Sequence, residues 1–177
     1  MLIDAIPSPF SDVSDREWND LSSLITDVQL SWNHPDIHVR KNCYKTLGKL
    51  WKLADQSRFK LPLTHPSLKL LLLFKQILLE SNNFTIYSYV LGIIWFLSRH
   101  VDNYSIIGSK ELGLLEICMD FLRREDNDAC YKILRNCSFD SRVHEYLFSD
   151  EMGYLEFFKD KAITDTVSVY PYQLLAE

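Results

Sequence analysis

Glycine and proline are scarce in this chain, with 5 and 6 among 177 residues. Valine is scarce too, 8 residues against 27 leucines. These shortages exclude a loop-rich or sheet-rich protein and point to helices, because leucine keeps its rotamer freedom in a helix and β-branched residues lose theirs. The 4 cysteines, Cys43, Cys118, Cys130 and Cys137, form no C-x-x-C pair and no secreted disulfide spacing. They are expected to be reduced core thiols. Long apolar runs are missing as well. The uncharged stretch Ser81 to Ser98 opens with polar residues. Its continuous apolar part, Tyr89 to Leu97, falls far short of the ~20 residues that cross a bilayer. The opening MLIDAIPSPF has no basic n-region and carries Asp4, so no secretory signal is expected and the chain is assigned to the reducing cytosol or nucleus.

An excess of positive charge is also absent. The net charge of -5 argues against a general nucleic-acid or membrane-surface binder, which needs cations to displace counterions or meet anionic lipid. Catalytic motifs are missing: there is no glycine-rich phosphate loop, no G-x-S-x-G and no H-E-x-x-H. His34 and His38 share a helical spacing, yet no carboxylate or cysteine completes a tetrahedral set with them. The acidic run Glu125-Asp126-Asn127-Asp128 fails as a calcium loop, since Cys130 takes the fifth ligand position, no glycine stands at the sixth and no glutamate closes it. Cys137 and His144 are the one conceivable thiol-imidazole pair. Cys130 lies seven residues before Cys137 on the same face, which makes both core fillers. The expectation is no enzyme, no metal and no cofactor.

What the chain does hold is a folded composition, 47% hydrophobic and 24% charged. Ser14-Asp15-Arg16-Glu17 is a capping box, and Trp18, Leu21, Leu24, Ile25 and Val28 follow at helical spacing, predicting a helix to about Leu30. Val39, Cys43, Leu47, Leu50 and Ala54 form the apolar stripe of a second helix, starting near Pro35 and ending near Asp55. The segment QSRFKLPLTHP, with Pro62 and Pro66, reads as a loop. Pro66 opens a third helix that stops at Ser81-Asn82-Asn83, and residues 84–100 make a fourth. Further helices are expected at 102–109, 111–124, 128–138, 141–149 and 152–161. Residues 164–177 alternate β-branched and aromatic residues with polar ones and read as an extended tail. Val167, Val169, Tyr170, Tyr172 and Leu174 would serve as an end cap or occupy a groove.

Shifting the chain by forty residues lays the segment from Leu97 on the segment from Cys137 without a gap: Ser98 meets Ser138, Gly113 meets Gly153, and Asp120 meets Asp160. A shift of forty-four sets Leu91, Ile94 and Leu97 on Leu47, Leu50 and Leu53. ILRNCS at 133–138 with MGYLEFF at 152–158, and IIWFLS at 93–98 with LGLLEIC at 112–118, resemble the armadillo repeat; the related HEAT repeat leaves a similar trace, and an unrelated helical bundle is the alternative. The resemblance implies an all-α chain: a short right-handed armadillo-like superhelix of about three repeats, one helical domain over 1–163, with a non-helical C-terminal segment.

Charge is uneven. Residues 38–75 carry nine Lys or Arg and one acid, Asp55, for +8, which leaves -13 on the rest. Lys41, Lys45, Lys49 and Lys52 fall within an arc of about 80°. In armadillo proteins the last long helix of each repeat lines a concave groove. The resemblance therefore implies that Lys45, Lys49 and Lys52 face it together with Tyr89, Gly92, Phe96, Lys132 and Asn136, with Lys41 on the same stripe. Peptide-binding members of that family carry an asparagine at the position of Asn136 in successive repeats. Here Phe96 and Lys52 stand there, so binding of nuclear-import signals is not expected. The function expected is a protein-protein scaffold or adaptor holding an acidic segment with an apolar anchor. An anion-binding module for RNA, phosphopeptide or phosphoinositide is the alternative, and a thiol enzyme the third.

Overall fold

The computed structural model describes residues 8–124, 127–150 and 152–164. Every regular element among them is helical: α1 (Asp15–Ser31), α2 (Ile37–Asp55), α3 (Ser57–Thr64), α4 (Leu70–Glu80), α5 (Phe84–Leu97), α6 (Tyr104–Ile107), α7 (Leu114–Arg124), α8 (Asp128–Cys137), α9 (Ser141–Leu147) and α10 (Tyr154–Thr164), with 3-10 turns at Pro66–Leu68 and Val101–Asn103. No described helix is long and apolar enough to cross a membrane. The expected tail lies outside the described residues, apart from Thr164, which ends α10. Packing divides the chain into two compact units, residues 1–103 and 104–177.

In the first unit α1 starts on the capping box: the Ser14 hydroxyl accepts from Glu17 N at 3.3 Å, and Ser14 N donates to the Glu17 carboxylate at 3.0 Å. The Ser14 N bond and the Ser14 hydroxyl, which donates to the same carboxylate at 2.8 Å, then the Arg58 guanidinium at 2.7 Å, hold the Glu17 carboxyl below its usual range. Helix α2 is capped by Asp36, whose carboxylate accepts from His38 N at 2.7 Å, so Pro35 precedes the cap. Cys43, Leu47, Leu50 and Ala54 are fully buried, and α2 packs on α1, α3 and α5. Such a long helix with one buried stripe takes its stability from its neighbours.

The expected loop after α2 is a helix. Phe59 and Leu63, one turn apart, are buried in α3. Pro62 sits six residues in, where its ring removes one bond, the one to the Arg58 carbonyl, near an end that frays anyway. Pro66 opens only a 3-10 turn, because Lys69 takes a left-handed conformation (φ 54°) that breaks the chain before α4. The turn Val101–Asn103 closes the unit. Asn103 is fully buried. Its amide donates to the Lys60 carbonyl at 3.1 Å and the Leu97 carbonyl at 3.0 Å, and its oxygen accepts from Thr64 Oγ1 at 2.7 Å.

In the second unit α7 packs on α8, and α6 touches α8 and α9. Asn127 caps α8 by accepting from Cys130 N at 3.2 Å. Three helices, α4, α7 and α10, begin directly after a residue of positive φ: Lys69 (54°), Gly113 (70°) and Gly153 (59°), spaced by forty-four and forty residues. Starts expected at 111 and 152 are therefore delayed to Leu114 and Tyr154. Helices α5 and α8 end forty residues apart, each followed by a serine whose hydroxyl donates back three residues, Ser98 to the Trp95 carbonyl (2.8 Å) and Ser138 to the Arg135 carbonyl (2.7 Å). That bond ends α5 at Leu97, short of the expected His100. The short helix expected at 102–109 comes as two pieces, the 3-10 turn and α6.

Candidate functional site

Helix α2 turns one face to its neighbours and one to solvent. Lys41, Lys45, Lys49 and Lys52 are all exposed, and none makes an ion pair or hydrogen bond among the described residues. Arg58 is matched with Glu17, Arg99 with Asp55 at 3.7 Å and Arg123 with Asp120 at 3.0 Å; Arg16, Lys69 and Lys75 make no ion pair among the described residues either, but they lie outside α2. Four unmatched ammonium groups along about 16 Å of helix repel one another, at a few tenths of a kcal/mol for each neighbouring pair. Gly48 stands within about 20° of Lys41 on the same face. A Cβ added to it would meet nothing within 4 Å, so no contact among the described residues requires glycine there. Glycine in a helix interior costs roughly 0.5–1 kcal/mol relative to alanine.

The two flanks of this face differ. Toward α5, the half-buried Trp51 lies over Gly92, whose absent side chain makes room for the indole: a Cβ there would fall 2.0 Å from ring carbon Cζ3. Tyr89 and Phe96 meet the Trp51 ring at centroid distances of 5.8 and 5.4 Å, and Arg99 covers Phe96 at 5.7 Å. Trp95 is half-exposed and lies 4.8 Å from Phe96. Tyr89 and Phe96 thus present edges of a packed aromatic cluster rather than free rings. Toward α1, the helix borders a shallow pocket of about 360 Å³ walled by Leu30, Val39 and Thr46 and rimmed by Asp27, Lys45 and Lys49. Leu30 is 69% exposed.

The structure gathers Lys41, Lys45, Lys49, Lys52, Tyr89 and Phe96 in the first unit. Lys132 and Asn136 belong to the second, where both are half-buried and Lys132 pairs with Asp128 one turn earlier. Leu30, Gly48 and Trp51 escaped the sequence reading. A glycine inside a lysine stripe and an indole off the apolar stripe were the signals available.

The thiols sit differently. All four cysteines are buried. Burial, then the neighbouring Cys118 and Asp140, pushes the Cys137 thiol far above its usual range, and His144 stacks on Phe148 at 4.4 Å. A thiol held protonated in an apolar core is a poor nucleophile. The chain matches no protein-family model and no curated protein.

Proposed function

We propose that the chain is a protein-interaction module, a scaffold or adaptor of armadillo-like build, that holds an acidic segment of a partner against the outer face of α2. The observation that carries this reading is the set of four exposed, unmatched lysines on one helix face. Such an arrangement destabilises the free molecule slightly and attracts carboxylates over a Debye length of about 8–10 Å. The armadillo-like part rests on the recurring left-handed residues before α4, α7 and α10 and on the matched ends of α5 and α8. Binding rather than catalysis is supported by the buried, protonated Cys137, the strongest nucleophile candidate in the sequence.

Reversing Lys45, Lys49 and Lys52 to Glu tests the reading. The side chains are exposed, so each change should alter stability by less than about 0.5 kcal/mol, while a partner captured by the wild-type protein is lost. Capture unchanged at low salt sinks the proposal. Capture that is instead abolished by nuclease treatment identifies a nucleic acid as the ligand.

A further inference from the structure

The lysine face explains attraction but not what fixes a partner in place. Ammonium groups on flexible stems are strongly hydrated point charges that give little geometric selection, so an apolar subsite is needed beside them. Two candidates flank α2. On the α5 side Trp51, Tyr89 and Phe96 already cover one another. On the α1 side the pocket stands open, with Leu30 as an exposed wall and two of the four lysines on its rim. Its volume of about 360 Å³ is at the small end for a ligand site and ample for one aliphatic side chain.

Resting on the reading above, we propose that this α1–α2 pocket receives a single leucine-sized side chain of the acidic segment. The segment's carboxylates pair with Lys45 and Lys49, and its main chain crosses α2 over Gly48. Charge complementarity selects the occupant: the α2 side of the pocket offers Lys45 and Lys49, with Lys41 and Lys52 beyond them. Asp27, the one acid on the rim, stands on α1. It repels carboxylates from that side and so orients the segment toward α2. Gly48 stands on the far side of the lysine row from the pocket, about 60° round α2 from Lys45. Its missing side chain serves no contact among the described residues and leaves the helix backbone open to close approach where the segment leaves the row.

Fluorescence anisotropy with labelled peptides tests this: a run of glutamates with one central leucine, and the same peptide with serine in its place. The wild-type protein should bind the leucine peptide about tenfold more tightly, the equivalent of about 1.4 kcal/mol. Leu30→Ser, at an exposed position, should erase that advantage, and Gly48→Gln, which fills the crossing, should weaken binding of both peptides. Circular dichroism melting checks that both variants fold, and Gly48→Ala, which fits the free helix, serves if Gly48→Gln does not. Lys45→Glu with Lys49→Glu should abolish binding of both peptides. Equal binding of the two peptides to the wild-type protein, or an advantage that survives Leu30→Ser, overturns the pocket while leaving the lysine reading standing. Absence of binding by either peptide at low salt overturns both.

Discussion

Gly92 lies so close beneath the indole of Trp51 that a Cβ built on it would fall 2.0 Å from Cζ3 and 2.2 Å from Cη2. The contact joins α5 to α2 in the first unit. It also explains why a glycine is retained in the middle of an otherwise bulky helix, where alanine alone would be favoured by about 1 kcal/mol.

Gly92→Ala should therefore destabilise the protein despite its better helix propensity, by about 1–3 kcal/mol, as overpacking does. Urea unfolding followed by tryptophan fluorescence measures it. Adding Trp51→Leu should abolish the penalty of the alanine, and a penalty that persists in the double variant refutes the assignment to this contact.

Lys69 occupies the backbone conformation that Gly113 and Gly153 occupy before α7 and α10. A side chain in the left-handed region costs roughly 1–2 kcal/mol, and Lys69→Gly should recover about 1 kcal/mol, raising the melting temperature. Lys69→Ala keeps the Cβ and should recover nothing. Gly113→Ala should move stability in the opposite direction.

Lys60 is 7% exposed. Its pKa is lowered first by burial and then by the charge of Arg99, with Asp55 acting against them. The folded state thus holds this proton less tightly than the unfolded chain, and stability rises with pH as Lys60 releases it. Lys60→Met should stabilise the protein by about 1 kcal/mol at neutral pH. The gain should shrink as pH climbs through the lowered pKa toward the ordinary lysine value of about 10.4. Denaturant titrations at neutral and alkaline pH show it; a gain that is constant with pH removes the electrostatic explanation.

The sequence announced α1 and α2 well, since Ser14 and Glu17 form a local cap and Cys43, Leu47, Leu50 and Ala54 repeat at helical spacing. It misread residues 57–64 because proline is a turn signal by default. Pro62 is tolerated there by its place near the helix end, while burial of Phe59 and Leu63, a tertiary effect, keeps the segment helical. The lysine row was legible from spacing alone. Its flanks were not: the packing of Tyr89 and Phe96 on Trp51 depends on the close approach at Gly92, and the pocket beside Leu30 is made by residues of two helices, α1 and α2, whose packing no local pattern announces.

Asn103 binds the Lys60 carbonyl midway along α3 and the Leu97 carbonyl at the end of α5, and accepts a hydrogen bond from the Thr64 hydroxyl in the last turn of α3. An isolated helix of eight residues is far below the length that holds together in water. By anchoring its last turn to the end of α5, the asparagine denies α3 an opening event of its own: its backbone amides are released to solvent only when the α5 terminus comes apart as well, which makes the two helices a single cooperative element of the native-state fluctuations.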